Sequence, residues 1–205
     1  MDSVKDLLKL EFKVTDMGDL HWLLGIRIEY DNSGIVLSQT AYIDKIIKCF
    51  GLQDANSVTY SLDKNHLLNK GKETRETTES SISLDPVKIK LYQQIIGSLM
   101  YTVTGTRPDL AYTVTRLSQY LTKPTNQHIG AAKHVLQYLK GTRDMKLSNP
   151  YKQQNAETQD AEISDSLILE GYCDSNHGGC PETRRSTSGY AFKLAGCTIS
   201  WRSRK

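Results

Sequence analysis

Gly171-Tyr172-Cys173-Asp174-Ser175-Asn176-His177-Gly178-Gly179-Cys180-Pro181-Glu182-Thr183-Arg184-Arg185-Ser186-Thr187-Ser188-Gly189-Tyr190 is the stretch on which the reading of this chain turns. An apolar run, Leu167-Ile168-Leu169, leads into it. Gly178-Gly179 and Pro181 then turn the chain. A second β-type run follows from Ser186 to Leu194, and a third ends at Ile199-Ser200-Trp201. The pattern predicts three short strands, over 167–173, 186–194 and 197–201, with Asp174 at the end of the first. A carboxylate at a strand end can face a shared metal with other carboxylates.

Upstream of this unit, residues 147–166 are acidic and polar with Asn149-Pro150 near the start, and they read as a loop. Before them the period changes from two to 3.6. Asp85-Pro86 is an N-cap followed by Pro at the first helical position. Leu91, Tyr92, Ile95, Ile96, Leu99, Met100 and Val103 then make a broad apolar stripe that Gly105 ends. Thr106-Arg107-Pro108 starts a second helix through Leu110, Val114, Leu117 and Leu121, broken by Pro124. A third runs from about Asn126 to Lys140, with Ile129, Ala132, Leu136 and Leu139 inward and Gly141 closing it. Three helices with tight Gly/Pro connections make a small bundle.

Residues 53–85 are polar, and 69–83 is rich in Lys, Glu, Thr and Ser, which reads as a flexible linker. At the other end, Val4, Leu7, Leu8 and Phe12 recur at helical spacing, predicting a helix over 3–13. Leu24, Ile26, Ile28 and Tyr30 alternate, predicting a strand over 22–30. Asp31-Asn32-Ser33-Gly34 is a turn signal and Ile35-Val36-Leu37 the return strand. Ser38 is placed to cap a helix carried by Ile43, Ile46, Ile47 and Phe50, and Gly51 stops it. The fold class is therefore α+β: a hairpin-and-helix unit, a helical bundle and a partial sheet.

Composition bounds what the chain can be. Of its 205 residues, 38% are hydrophobic, and no apolar run approaches the roughly 20 residues that span a bilayer. The start, Met1-Asp2-Ser3-Val4-Lys5-Asp6, is polar and acidic, unlike a signal peptide. Four scattered cysteines, Cys49, Cys173, Cys180 and Cys197, form no disulfide framework. These features point to an intracellular protein, cytoplasmic or nuclear, with no membrane partner. The net charge of +3 hides segregation. Residues 1–86 and 147–180 are net acidic, whereas 87–146 and 181–205 are net basic. Two basic blocks in a near-neutral chain read either as a nucleic-acid footprint or as solvated helix faces whose cations do nothing specific.

Several motifs together resemble one family. Arg184-Arg185-Ser186-Thr187-Ser188-Gly189-Tyr190 followed by Ile199-Ser200-Trp201 looks like the start of the ribonuclease H domain in copia-type LTR retrotransposon Pol polyproteins. Phe12-Lys13-Val14-Thr15-Asp16-Met17-Gly18-Asp19-Leu20, Leu24-Gly25-Ile26-Arg27-Ile28, and Leu37-Ser38-Gln39 with Tyr42 look like the end of its reverse transcriptase palm. Ile96-Gly97-Ser98-Leu99-Met100-Tyr101, Thr106-Arg107-Pro108-Asp109-Leu110 and Val135-Leu136-Gln137-Tyr138-Leu139-Lys140-Gly141-Thr142 resemble its thumb and connection region. The resemblance implies a division into 1–52, the palm end; 53–85, the linker; 86–146, the helical thumb or connection; and 147–205, an opening portion of ribonuclease H.

The resemblance also implies sites. Asp174 stands where the family has its first catalytic ribonuclease H carboxylate, a magnesium ligand. The family motif reads Asp-Ala-Asp-Trp-Ala-Gly, and here it reads Asp174-Ser175-Asn176-His177-Gly178-Gly179, so the second aspartate and the tryptophan are replaced. The family's polymerase motif, Tyr-Val-Asp-Asp, lies upstream of such a palm block, and this chain has no Asp-Asp pair. Both reactions use a metal pair held by several carboxylates. The expectation is a catalytically incomplete piece of a polyprotein with no stably bound cofactor, magnesium belonging only to the complete enzyme. In a thumb, helices lie along primer and template, and Arg116, Lys123, Lys133, Lys140, Arg143 and Lys146 are the candidates to meet phosphates. The partners expected are an RNA–DNA hybrid or other nucleic acid, bound weakly and salt-dependently, and other parts of the polyprotein. Arg107, between Thr106 and Pro108-Asp109, reads as a further phosphate contact, as a helix cap or as a structural ion pair. His128 and His134 receive no role.

Two further readings stand beside this one. Cys173, His177 and Cys180, with Cys197 downstream, carry soft ligands for a small zinc module. Cys173 and Asp174, adjacent on a strand, point to opposite faces. The last reading is a degenerate open reading frame without function, its unfinished sheet leaving Ile199 and Trp201 without a covering helix and one edge unpaired.

Overall fold

The computed structural model describes residues 2–15, 17–32, 34–62, 84–150, 168–180 and 183–205. Most of the expected linker, all but the start of the expected 147–166 loop, and Asp16 and Ser33 of the quoted motifs lie outside them.

The chain begins with helix α1 (Asp2–Glu11). Its apolar residues Val4, Leu7 and Leu8 are exposed. The strand expected over 22–30 is interrupted. It divides into β1 (Trp22–Leu23) and β2 (Ile26–Asp31), which pair antiparallel. Leu24 and Gly25 both take positive φ between them, and the Tyr101 hydroxyl donates to the Leu24 carbonyl. The Asp31 Oδ1 accepts from the Gly34 N–H at 2.8 Å and closes the next turn. β3 (Gly34–Ser38) returns along β2.

Helix α2 (Thr40–Cys49) follows. Its N-cap is Gln39 rather than Ser38, whose Oγ instead accepts from the Thr40 N–H at 3.3 Å. α3 (Pro86–Gly105) starts as its sequence dictates. Asp85 caps it by accepting from the Val87 N–H at 3.2 Å, with Pro86 in the first turn. The second helix is shorter than its apolar spacing suggests. A 3-10 turn (Pro108–Leu110) leads into α4 (Ala111–Ser118), which ends well before Pro124. α5 (Asn126–Gly141) is held at its start by a capping box, the Thr125 N–H donating to His128 Nδ1 at 2.9 Å. His128 is fully buried and stacks on Tyr120, ring centroids 4.0 Å apart. Its place is thus in the packing of the helices.

The helical core counts four helices rather than three. Ile43, Ile46 and Ile47 of α2 belong to the same buried cluster as Tyr92, Ile95, Ile96 and Leu99 of α3, Leu117 of α4, and Val135, Leu136 and Leu139 of α5. The reason is geometric. The α2 stripe is too apolar for water, and the small hairpin beside it offers too little surface to cover it.

A second correction concerns 147–150. These residues, expected to open a loop, form β4 (Leu147–Pro150), which pairs antiparallel with β3. The first sheet is therefore four-stranded in the order β1-β2-β3-β4 and is closed by a strand more than a hundred residues after its neighbour. Gly34 permits this approach. Its φ is +154°, and a Cβ there would come within 2.6 Å of the Pro150 Cα and strike the Asn149 backbone.

The second sheet is β5 (Leu169–Ser175), β6 (Ser188–Leu194) and β7 (Cys197–Arg204), antiparallel in that order. These are the three strands expected, their ends differing by no more than three residues. Trp201 does not lack cover. Its indole N–H donates to the Val103 carbonyl of α3 at 2.8 Å, and the Thr115 hydroxyl of α4 donates to the Ser203 carbonyl at 3.0 Å. Ile199 remains exposed. β5 is exposed at every position. The chain thus mixes helices with two antiparallel sheets, an α+β fold. Among the described residues no helix is long and apolar enough to cross a membrane.

Candidate nucleic-acid interface

The six basic candidates separate into two sets. Lys140, in the last turn of α5, donates from Nζ to the carbonyls of Gln53 and of Ala55, the latter at 2.7 Å. It ties the segment after α2 onto α5. Arg143 pairs with Asp44 at 3.2 Å and with Asp144 at 3.6 Å. Lys146 pairs with Glu29 at 2.6 Å. That contact, a hydrogen bond first and a Coulombic attraction second, holds the Glu29 carboxyl below its usual value. These three cations are committed to the protein's own groups.

Arg116, Lys123 and Lys133 make no side-chain hydrogen bond or ion pair among the described residues. Arg116 sits in the last turn of α4, where a cation complements the helix dipole. Lys123 and Lys133 are exposed, between α4 and α5 and within α5. Charge spacing alone does not separate the two sets, because the partners Glu29, Asp44, Gln53 and Ala55 lie 85 or more residues away in sequence.

Docking of β7 on α4 brings the two basic blocks together. Besides the Thr115–Ser203 bond, Lys205 Nζ donates to Gln119 Oε1 at 3.1 Å. The last turn of α4, with Arg116, therefore runs alongside the end of β7, which carries Arg202 and Arg204 exposed to solvent. Two segments that are net basic in sequence become neighbours in space.

Arg107 resolves as the structural ion pair. Its guanidinium is 1% exposed and grips both oxygens of Asp109, Nε to Oδ1 at 2.9 Å and Nη2 to Oδ2 at 2.7 Å. It also donates to the Thr142 carbonyl and hydroxyl at 3.1 and 2.8 Å, and lies 5.5 Å from the Tyr138 ring centroid. The Tyr138 hydroxyl donates to Asp109 Oδ2 at 3.1 Å. Burial raises the Tyr138 hydroxyl above its usual pKa, and the neighbouring Asp109 charge adds to that. Every donor aims inward, so Arg107 binds the 3-10 turn to the end of α5. His134 Nε2 lies 3.0 Å from the Tyr60 carbonyl, again a packing contact.

Asp174 lies on β5, paired with Gly189 of β6, on the sheet face that looks toward the 3-10 turn and α4. It lines a groove of about 350 Å³ together with Asp109, Tyr112 and Asn176. Its Oδ1 accepts from the Ser175 N–H at 2.7 Å. Asp109, the other carboxylate of this groove, is held by Arg107 and Tyr138. Asn176, which stands where the family motif has its second aspartate, accepts from the Thr187 N–H at 2.7 Å and so serves as a turn brace. Among the described residues no group of three His, Cys, Asp or Glu side chains is placed to hold a metal ion. The carboxylates present therefore do not fit a magnesium pair, and no catalytic step is built on one.

The same finding bears on zinc. Cys173, His177 and Cys180 do not form a metal-holding group. Cys173 is exposed on the outer face of the sheet, whereas Cys180 is buried with Lys205 Nζ 2.7 Å from its sulfur. The alternation of β5 sends Cys173 away from the groove that Asp174 lines.

Comparison with known proteins identifies the family. Residues 1–64 match the family described as reverse transcriptase (RNA-dependent DNA polymerase). Across 98% of its length the chain is 32% identical to the retrovirus-related Pol polyprotein from transposon TNT 1-94 of Nicotiana tabacum, of which it covers 14%. It is 34% identical over its whole length to the Pol polyprotein from transposon RE1 of Arabidopsis thaliana, covering 12% of it. An uncharacterised mitochondrial protein of Arabidopsis thaliana is 32% identical over 97% of the chain, and 72% of that protein is covered. The chain belongs to the copia-type retrotransposon Pol polyprotein family. It spans 14% or less of the length of the two transposon polyproteins. No solved structure matches it.

Proposed function

We propose that this chain is a nucleic-acid-binding portion of a retrotransposon Pol polyprotein, gripping the backbone of an RNA–DNA hybrid without performing chemistry on it. The observation that carries the reading is the sorting of the bundle's cations. Lys140, Arg143 and Lys146 are used internally, while Arg116, Lys123 and Lys133 have no intramolecular partner among the described residues. A cation left without a carboxylate in a chain with 23 acidic residues is available to phosphate.

Binding of this kind reads backbone charge, is indifferent to sequence and weakens steeply with salt. The ribonuclease H relationship of strands β5 to β7 and the thumb relationship of α3 to α5 belong to this reading. So does the rest of a Pol polyprotein as partner. The absence of chemistry rests on Asp174 and Asp109, each engaged by protein donors in the one groove they share. The test is anisotropy of a labelled RNA–DNA hybrid with the chain and with its Arg116→Ala, Lys123→Ala, Lys133→Ala triple variant. Binding in the first and its loss in the folded triple variant supports the reading. Equal binding by both refutes it.

A further inference from the structure

We propose that the outer face of the β5–β7 sheet is a stacking surface for a single nucleic-acid strand. The register fixes which side chains share that face. Cys173 pairs with Tyr190 and Tyr190 with Arg202; Gly171 pairs with Phe192; Ser188 pairs with Arg204. Alternation puts these residues on one side and Gly189, Ala191, Trp201 and Ser203 on the side that meets α3 and α4. Along β6 and β7 exposure follows the same division. Tyr190 and Phe192 are 38% and 39% exposed, and Arg202 and Arg204 are exposed, whereas Gly189, Ala191 and Ser203 are half-buried.

The chemistry of this face is specific. Tyr190 and Phe192 stand at i and i+2 on the central strand, ring centroids 5.4 Å apart. The Phe192 ring lies over the Gly171 backbone, where a Cβ would meet its Cε1 at 2.7 Å. The glycine thus lets the ring settle against the strand. Arg202 stands directly across from Tyr190, and Arg204 one pair further along β7. By register no Asp or Glu of β5, β6 or β7 shares the face. Aromatic rings flanked by guanidinium groups that pair with no carboxylate among the described residues accept bases on the rings and phosphates on the arginines, with little sequence preference.

The same features weigh against other occupants. A duplex keeps its bases stacked on each other and cannot offer them to Tyr190 and Phe192. A second copy laid face to face would set Arg202 and Arg204 against like charges. The surface is separate from the bundle cations, so the inference does not rest on the preceding reading.

The experiment compares two probes with the full chain: fluorescein-labelled oligothymidylate and a blunt RNA–DNA hybrid. Tyr190→Leu with Phe192→Leu lowers oligothymidylate affinity by about tenfold or more and leaves hybrid binding unchanged. The Arg116, Lys123, Lys133 triple variant does the reverse. Undiminished oligothymidylate binding in the folded double variant overturns the proposal. Ultraviolet cross-linking of the unaltered chain avoids any folding defect. Adducts at Tyr190 or Phe192 support it, and adducts confined to other residues overturn it. A sedimentation shift abolished in the double variant, with no oligothymidylate bound, marks a self-association face and overturns it as well.

Discussion

Arg107 and Asp109 hold each other through two parallel hydrogen bonds, 2.9 and 2.7 Å, in a chain where the guanidinium is 1% exposed and the carboxylate 29%. The pair sits two residues apart, yet its consequence is long-range, because the remaining guanidinium donors reach Thr142 at the far end of α5. Removing the carboxylate strands a buried charge. Asp109→Ala is therefore expected to cost about 3 kcal/mol. Arg143→Ala, which breaks a pair in which both side chains are 51% exposed, costs no more than about 0.5 kcal/mol. Urea midpoints of the two variants check the contrast.

Gly34 tests the closure of the first sheet. A methyl group there meets the Asn149 and Pro150 backbone, which cannot move without losing the β3–β4 pairing. Gly34→Ala is expected to destabilise by about 1–3 kcal/mol and to raise hydrogen exchange at Leu147 and Asn149. Protection unchanged at those amides counts against β4.

Trp201 tests how the second sheet is docked. Trp201→Phe keeps an aromatic ring but removes the donor to Val103, leaving a carbonyl without its partner. The expected cost is about 1 kcal/mol. Exchange should rise along β7 and α4 and leave the Ile43 and Leu136 core unchanged.

Tyr92 and Tyr138 set an alkaline limit. Burial, first, and then the charge of Tyr120 raise the Tyr92 hydroxyl above its ordinary value; burial and then Asp109 raise Tyr138. A raised folded-state pKa favours the protonated form in the fold. The stability it represents is complete below the unfolded tyrosine value near 10 and is lost as pH rises through the folded value. Tyr92→Phe sacrifices the bond to the Leu117 carbonyl at 2.7 Å, lowering stability at neutral pH. Its stability then falls less steeply above pH ~10 than that of the parent chain. Thermal melts across alkaline pH, followed with tyrosinate absorbance, check this.

Much of this architecture is written locally. Asp85-Pro86 announced α3, Gly105 and Gly141 ended helices, and the strand runs around Asp174 and Tyr190 were readable from alternation alone. What escaped depends on contacts distant in sequence. β4 is four residues without a clean alternation, and only β3 makes it a strand. α2 joined the helical core because an apolar stripe takes whatever surface covers it. Charge segregation located the basic regions but not which cations were spent internally, since Lys146 and Glu29 are 117 residues apart. The outer-face set of Tyr190, Phe192, Arg202 and Arg204 was accessible to period-two reasoning once the strands were drawn. Sequence alone does not single it out, because period two fixes which side chains share a face but not which face the helices cover.

Arg116, Lys123 and Lys133 are proposed to meet phosphate, and the salt dependence of hybrid binding measures this directly. Each phosphate contact contributes a slope of about 0.9 in log affinity against log salt. Changing Arg116, Lys123 and Lys133 to Ala should reduce the slope by roughly 2 to 3. Changing Lys140, Arg143 and Lys146 to Ala should leave it nearly intact in molecules that remain folded. The same loss of slope in both triple variants, or none in either, contradicts the account.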